Sequence, residues 1–353
     1  MLTDPVEIAL LRLVAQRVVV PLPTAADVVR WLTAVQGQDD AGAITSIALR
    51  TARRERAEVL AAYDSGEIVR SWPMRGTLHV VPAEDLGWML QLMTPRVLAG
   101  AARRRAQLGL DAGVLTRAEE LTRLALAGGQ ALRRSELMSV WEHAGLAPAG
   151  GRGYHLLANL CQRGVLCYGP TAGGEQLIVL LGEWVPRPRR LDREAALAEL
   201  ALRYFRSHGP ATVKDLMRWS GLVAADVRAG IALSRDRLDS VTDGDQQYFL
   251  DPATPELLAA HRAEATGVVL LPGFDEVILG YADRTPNLAA EHADRIVPGG
   301  NGVFRSTVLS GGQVVGTWRH SGRPSARRID TTPFTTFDAD LVVAVGQAYE
   351  QLP

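Results

Sequence analysis

Apolar residues near the start of the chain recur at helical spacing and then stop at a polar corner. Val28, Val29, Leu32 and Val35, joined by Trp31, recur at the three- and four-residue spacing of one helix face. Gln36-Gly37-Gln38 comes next, and we expect Asp40 to cap a following helix that opens near Ala43. The two glutamines therefore lie between two helices, where their side chains can project into a cleft. Ordinary solvated side chains are the alternative at such a place.

Short helices followed by a hairpin make up the first part of the chain. The periodicity predicts helices over these segments: 5–19, 24–36, 43–51 and 53–65. Residues 68–81, IVRSWPMRGTLHVV, then place β-branched and aromatic residues about a Met-Arg-Gly turn, which predicts a hairpin. A long helix over 82–107 follows, in which Pro95 is expected to cause a kink or a break. This order of elements is the plan of a winged helix-turn-helix.

The same plan repeats along the chain. Residues 131–146 (ALRRSELMSVWEHAGL) and 209–222 (GPATVKDLMRWSGL) share a form, in which a polar cap precedes Leu-Met, tryptophan and glycine. Each is followed by a second helix and a hairpin with a glycine turn. We therefore predict a mainly α fold with short β-hairpins, of the α+β class, built from three tandem winged-helix modules. The predicted modules are residues 1–110, 111–190 and 191–353, and the last carries a β-rich C-terminal extension.

Composition limits the class of protein. The chain has 353 residues, 47% of them hydrophobic, which is enough for two or three packed domains. No apolar run reaches the roughly 20 residues of a membrane-spanning helix, and the N-terminus does not resemble a signal peptide. We expect a cytoplasmic protein with no membrane partner. Cys161 and Cys167 are the only cysteines, and because their spacing suits no zinc site we expect them to pack in the core.

Charge and missing motifs narrow the chemistry. The net charge of −1 and the pI of about 6.7 disfavour a protein that coats DNA by bulk electrostatics, but they permit binding through a local face. The chain contains no Gly-x-Ser-x-Gly elbow, Walker A loop or His-Glu-x-x-His motif, and its seven histidines show no metal-ligand spacing. We therefore expect neither a metal nor a cofactor, and neither an ATPase nor a hydrolase of the common kinds.

Four segments in order carry a resemblance to a known family. The corner at Gln36-Gly37-Gln38 resembles the Gln-x-Gln motif of the AlkZ-like DNA glycosylases, which are built from winged-helix modules. The other matching segments are WPMRGTLHVVPAEDL at 72–86, LLPGFDEVILGYADR at 270–284 and GGQVVGTWR at 311–319. Gly37 departs from the family pattern, which has a side chain at that position. The resemblance implies a C-shaped DNA-binding surface and excision of bulky or cross-linking N-alkylated purines, in family members often for self-resistance to DNA-alkylating natural products.

The resemblance makes Gln36 and Gln38 the catalytic candidates, and their chemistry limits the substrate. Glutamine is no general base at neutral pH, but its carbonyl oxygen can position a water and its amide can donate. This suffices where the leaving group is already good, as in a purine made cationic by alkylation at N7 or N3. Whether Asp39 or Asp40 adds a carboxylate stays open. Lys214 is the only lysine, and because it lies far in sequence from the corner we expect a monofunctional enzyme that leaves an abasic site.

The DNA contacts are expected from the first hairpin and from three further arginines. The candidates are Trp72, Met74, Arg75, Thr77, His79, Arg50, Arg284 and Arg319. Arg75 at the hairpin tip can donate two hydrogen bonds to a phosphate. Arg75, Thr77 and His79 alternate along the returning strand, so their side chains can share one face. Core packing is the alternative for Trp72 and His79, and a structural ion pair with Asp283 is the alternative for Arg284.

A non-catalytic transcriptional regulator is the main alternative to an enzyme, because most winged helices are regulators. A regulator has no need of the glutamine corner and would place basic residues on each recognition helix. The corresponding helices at 152–164 and 224–238 are only modestly basic, which favours the enzyme. A catalytically inactive family member that binds a protein is a weaker alternative. For the enzyme we expect a monomer that acts in base excision repair, with double-stranded DNA carrying alkylated purines as its partner.

Overall fold

The computed structural model describes residues 4–323 and 327–353, and it divides the chain into two compact units. The first unit joins the chain up to Glu58 to Leu197–Pro353, and the second is Val59–Ala196. Helices predominate over strands, so the architecture is a mixed α and β one. This division does not test the boundaries of the three predicted modules. The winged-helix character of the modules and their number also stay predictions.

The start of the first unit is mostly helical. Its elements are α1 Pro5–Ala15, α2 Ala25–Leu32, the two-residue strand β1 Val35–Gln36, α3 Asp40–Ala48 and α4 Arg56–Asp64, which runs on into the second unit. Asp4 and Thr24 accept hydrogen bonds from backbone N–H groups in the first turns of α1 and α2. Thr33 follows α2 with a φ of 70°, and this change of direction leads the chain out of the helix and into β1.

The second unit combines two hairpins with helices. Its elements are β2 Ile68–Met74, β3 Thr77–Pro82, α5 Leu86–Gly100, α6 Ala102–Gln107, α7 Ala112–Leu126, α8 Arg134–His143, α9 Arg152–Gln162, β4 Leu166–Ala172, β5 Glu175–Leu180 and α10 Leu181–Trp184. The strands lie in the order β3-β2-β4-β5, with antiparallel neighbours. Buried apolar side chains form one core around Trp72 and Trp141. Cys161 and Cys167 are buried here as free thiols, as predicted, and burial raises the pKa of both.

The remainder of the first unit begins with helices and ends in a sheet. Its elements are α11 Arg193–His208, α12 Val213–Ser220, α13 Ala224–Leu233, β6 Asp239–Asp243, β7 Gln246–Leu250, α14 Thr254–Ala260, α15 Arg262–Thr266, β8 Val268–Leu271, α16 Glu276–Leu279, α17 Ala293–Ile296, β9 Thr307–Ser310, β10 Gln313–Ser321, β11 Arg328–Pro333 and α18 Ala339–Glu350. The last four strands form an antiparallel sheet in the order β11-β10-β9-β8. Helix α1 packs against α14 and α15, so the two ends of the chain share this unit.

Most of the helices and hairpins lie where the periodicity predicted them, with two corrections. Pro95 does not break its helix, because α5 continues through it to Gly100. Pro95 and Gln91, whose carbonyl oxygen loses its helical partner, are both exposed, so this turn of the helix lies at the protein surface. Within the predicted β-rich extension, the segment after Pro272-Gly273 is not a strand, because Glu276–Leu279 forms the short helix α16. Among the described residues, no helix combines the length and apolar character that membrane crossing requires.

Candidate active site

The predicted glutamine corner lies between α2 and α3. Gln36 is 5% exposed, whereas Gln38 is exposed to solvent. The backbone N–H of Gln38 donates a 2.9 Å hydrogen bond to Oε1 of Gln36, which closes a tight turn around Gly37. The Gln36 side chain therefore supports the loop itself, and the Gln38 side chain is the one that can reach a ligand.

Helix α3 begins at Asp40, three residues before the predicted Ala43, and its N-cap lies one residue earlier than predicted. Asp39 occupies the N-cap position and Asp40 is the first helical residue, so the prediction that Asp40 caps the helix is wrong. The Asp39 carboxylate accepts no capping hydrogen bond either. A Cβ added to Gly42 would lie 2.7 Å from Oδ2 of Asp39 and 3.2 Å from the carbonyl oxygen of Gly273. Glycine at this position therefore lets the corner approach the segment that leads into α16.

A buried ion pair clamps α3 to that segment. Nη1 and Nη2 of Arg50 donate to Oδ2 and Oδ1 of Asp275 over 2.8 and 2.9 Å, and Oγ of Ser46 donates to Oδ2 over 2.6 Å. Burial by itself would raise the pKa of Asp275, but the charge and hydrogen bonds of Arg50 hold this pKa below its usual value. A bidentate pair of this kind fixes orientation, and it depends on the presence of both partners.

The next residue, Glu276, contacts the corner directly. Its Oε1 accepts a hydrogen bond of 3.0 Å from the backbone N–H of Gln36, and its Oε2 accepts one of 3.0 Å from Nε1 of Trp219. Nε2 of His208 lies 3.6 Å from the same Oε2. All of these residues are buried. The carboxylate of Glu276 on α16 thus holds the backbone of Gln36 in place.

Backbone strain precedes the two acids. Phe274 has a φ of 60°, in the left-handed region that bulky residues rarely adopt. Its ring centroid lies 5.8 Å from that of Phe304, and the following Asp275 is held by Arg50. Strain of this kind persists only where the surroundings determine the conformation. Here it accompanies a turn that directs two adjacent carboxylates toward α3 and the corner.

A cavity of about 420 Å³ opens beside the corner. Side chains from α3, α4 and β10 line it, among them Asp39, Thr45, Arg56, Arg319 and His320. Burial lowers the pKa of Arg56 and of His320, and the nearby charge of Arg327 lowers both further. The side chain of Arg319 is 80% exposed, 3.4 Å from a carboxylate oxygen of Asp330. Several cationic groups therefore converge here, which suits an anionic group such as a DNA phosphate.

The first hairpin turns at Arg75 and Gly76. Both have positive φ, of 55° and 73°, as a two-residue type I′ turn requires. Nη2 of Arg75 lies 2.9 Å from Nε2 of His79, and Nδ1 of His79 lies 3.0 Å from the carbonyl oxygen of Thr77. Because a guanidinium only donates, Nε2 accepts and Nδ1 carries the proton. Burial and then the charge of Arg75 hold the pKa of His79 well below its usual value, so the ring is neutral.

Several predicted DNA contacts are buried instead. Trp72 and Met74 are 2% and 0% exposed, and the indole of Trp72 packs against Tyr154 and Tyr168. His79 and Arg50 are also fully buried. A side chain buried in this way cannot touch a duplex, so we assign Trp72, Met74, His79 and Arg50 structural roles in place of the predicted contacts.

Arg284 is half-buried and does not form the ion pair considered as its alternative role. Its Nε donates to the carbonyl oxygen of Ile278 over 2.7 Å, and its guanidinium lies 5.0 Å from the ring centroid of Phe304. Burial, followed by the charge of Arg218, lowers the pKa of Arg284 to about 10. Asp283 accepts hydrogen bonds from the backbone and hydroxyl of Thr285.

Glu276 and Trp219 are site residues that the sequence did not reveal. A carboxylate inside the apolar run VVLLPGFDEVILGY was the available signal, because charged side chains are almost never buried without partners. Within the described ranges, no three His, Cys, Asp or Glu side chains are grouped so that they could hold a metal ion.

Comparisons with known proteins agree with the resemblance. A family model described as "DNA glycosylase AlkZ-like" matches residues 29–352. The "Interstrand DNA cross-link repair glycosylase" of Streptomyces sahachiroi is 29% identical over an alignment of 322 residues, which covers 84% of this chain and 82% of that protein. The solved structure of Streptomyces sahachiroi DNA glycosylase AlkZ matches with a TM-score of 0.79 and 24% identity, over 99% of this chain and 96% of the other.

These matches confirm the predicted enzyme class and do not favour the transcriptional regulator. Because its sequence identity is low, the solved structure supports the fold alone. The family match extends over nearly the whole chain. The chain belongs to the AlkZ-like family of DNA glycosylases.

Proposed function

We propose that the enzyme hydrolyses the N-glycosidic bond of purines alkylated at N7 or N3, including bulky and cross-linking adducts, and leaves an abasic site. The turn in which Gln36 supports the backbone of Gln38 carries the proposal. It presents the exposed amide of Gln38 on a loop whose backbone is fixed, which is the arrangement needed to orient a water molecule. The name of the Streptomyces sahachiroi relative, a cross-link repair glycosylase, supports adducts of this class.

The reaction needs little more than a placed water. The carbonyl oxygen of Gln38 accepts a hydrogen bond from the water, whose oxygen attacks C1′ as the bond to the purine breaks. The electron pair of that bond moves onto the alkylated purine and neutralises its positive charge, so the leaving base requires no protonation. The water proton leaves to solvent or to the exposed carboxylate of Asp39. Oriented amide dipoles stabilise the positive charge that develops on the sugar.

Double-stranded DNA is the proposed partner of a monomeric enzyme. Four of the predicted contact residues are retained for this role: Arg75, Thr77, Arg284 and Arg319. Arg75 lies at the tip of a hairpin and Arg319 lines the basic cavity beside the corner, which supports contacts to backbone phosphates. We retain three winged-helix modules, bounded as the sequence predicts, as the scaffold of a C-shaped DNA-binding surface. Self-resistance to a DNA-alkylating natural product is the proposed biological role.

Base release from defined duplexes tests the substrate class. One duplex carries a single N7-methylguanine and a second carries uracil at the same position. Abasic sites are cleaved with alkali and resolved on a denaturing gel. We expect release of the cationic purine and none of uracil, because only the former departs without protonation. We also expect no strand cleavage before the alkali step, since Lys214 is the only lysine that could form a Schiff base. Equal release of uracil would contradict the proposal.

A further inference from the structure

Glu276 is a buried carboxylate with an unusual set of partners. It is 0% exposed and lies on α16 beside the apolar side chains of Val277, Ile278 and Leu279. Burying a carboxylate costs free energy unless hydrogen bonds compensate for the lost water. Its neighbour Asp275 has the guanidinium of Arg50 for this purpose. Glu276 instead accepts one backbone N–H, from Gln36, and one indole N–H, from Trp219, and Nε2 of His208 lies 3.6 Å from its Oε2.

The two hydrogen bonds place the carboxylate between a rigid element and the corner. Trp219 is fully buried, and its ring centroid lies 5.1 Å from that of Tyr204 and 5.5 Å from that of His208. This packing fixes the indole, and the indole N–H fixes one carboxylate oxygen. The other oxygen then determines where the N–H of Gln36 lies.

The position of Gln36 in turn determines that of Gln38. Oε1 of Gln36 accepts the backbone N–H of Gln38, so a movement of the Gln36 backbone is passed to the exposed amide. Gly37 between them has no side chain to restrict the loop by itself. The geometry of the corner consequently depends on its hydrogen-bond partners, and Glu276 is the partner that binds the Gln36 backbone.

The geometry points to Glu276 as a positioning residue for the glycosylase reaction, with Trp219 orienting its carboxylate so that Gln36 supports the backbone of Gln38 and the Gln38 amide holds the attacking water in place. This inference rests on the proposed function of the glutamine corner. Glu276 touches neither substrate nor water and acts through the Gln36 backbone. A displacement of a catalytic group by about 1 Å can lower a rate by about 100-fold, so such a residue affects the chemical step without affecting DNA binding.

Hydrogen-bond polarity gives a test that a merely structural role would not satisfy. Glu276→Gln keeps the shape of the side chain but replaces one acceptor oxygen with an NH₂ group. That group must face either the N–H of Gln36 or the N–H of Trp219, and two donors then oppose each other. Trp219→Phe removes one of the donors, so in the double variant the amide oxygen can accept from Gln36 while the NH₂ group faces the phenyl ring.

The experiment measures single-turnover release of N7-methylguanine from duplex DNA, together with the dissociation constant for the same duplex. We expect Glu276→Gln to slow release by about 10- to 100-fold with unchanged DNA affinity. We expect Trp219→Phe to slow release less, and the double variant to release base faster than Glu276→Gln alone.

Trp141→Phe is the matched control, because Nε1 of Trp141 also donates a buried hydrogen bond, to Oγ1 of Thr122 over 2.9 Å, in the other compact unit. It should lower the melting temperature as Trp219→Phe does and leave the rate unchanged.

Hydrogen exchange gives a readout that does not depend on activity. The peptide containing the Gln36 amide should lose protection in Glu276→Gln and regain it in the double variant. Wild-type release rates in both Trp219→Phe and Glu276→Gln, or a loss that the double variant does not recover, would overturn the inference while leaving the proposed function intact. Failure of the wild type to release the base, with the Gln36 amide protected, would overturn the proposed function and this inference with it.

Discussion

The backbone N–H of Gln36 donates a 3.0 Å hydrogen bond to Oε1 of Glu276, which lies 240 residues later in the chain. The loop that carries the candidate catalytic amides is therefore completed by a helix near the other end of the sequence. The adjacent Asp275 holds Arg50 at the end of α3, so two consecutive acids secure the loop and the helix that follows it. The site consequently forms only when both parts of the first unit have folded together.

Removal of one partner of the buried ion pair should destabilise the protein strongly. Asp275→Ala leaves the guanidinium of Arg50 buried and unpaired, and we expect a loss of about 3–5 kcal/mol in the free energy of unfolding. Urea unfolding followed by circular dichroism measures this change. Glu120→Ala is the control, because its pair with Arg117 is exposed and should contribute less than about 1 kcal/mol. Equal effects of the two substitutions would contradict the role assigned to Asp275.

The buried imidazole of His79 should make the protein less stable in mild acid. Its pKa is lower in the folded protein than the usual value of about 6.5, so below that pH the unfolded chain binds a proton that the folded chain does not. The stability is fully present above about pH 6.5 and falls by about 1.4 kcal/mol per pH unit as the pH drops toward the folded pKa. Unfolding free energies measured from pH 7.5 to 5 should show this decline in the wild type and a weaker one in His79→Gln. An equally steep decline in the wild type and His79→Gln would contradict this prediction. An equally weakened decline in the exposed control His143→Gln would also contradict it.

Arg319 should contribute to DNA binding through charge alone. It is exposed and lines the cavity beside the corner, so we expect Arg319→Ala to weaken binding about equally for all DNA sequences. The slope of the logarithm of affinity against the logarithm of salt concentration should become shallower by about one unit, because one phosphate contact is lost. Fluorescence anisotropy at several salt concentrations measures this slope. Arg117→Ala, an equally charge-changing substitution on an exposed helix face, should leave it unaltered, and an unaltered slope in Arg319→Ala would remove this residue from the proposed interface.

The sequence predicted the local elements of the fold well and the long-range contacts poorly. Apolar spacing located α1 to α4 and the β2–β3 hairpin, because periodicity and turn chemistry depend on neighbouring residues. The same alternation could not tell whether Trp72 and Met74 face DNA or the core, since both faces of β2 are covered. The hydrogen bond between Gln36 and Glu276 could not be predicted from local pattern either, because the two residues are 240 positions apart in the sequence.

The family resemblance supplied the glutamine corner, and the structure added its support. Nothing in the residues around Gln36 indicated which distant group would bind its backbone N–H. The acid pair at Asp275 and Glu276 was visible as charge within an apolar run, but its partners depend on how the ends of the chain meet. Site residues of this kind become apparent only from three-dimensional contacts.

Single-turnover release of N7-methylguanine by the Gln36→Ala, Gln38→Ala double variant tests the central claim most directly. The wild type and the exposed-glutamine control Gln130→Ala should release the base at equal rates. The double variant should release it at least about 100-fold more slowly while binding the same duplex with similar affinity, since Gln38 positions the water, Gln36 supports the Gln38 backbone, and neither holds the DNA. Release by the double variant at the wild-type rate would contradict the account, because catalysis would then lie elsewhere on the protein.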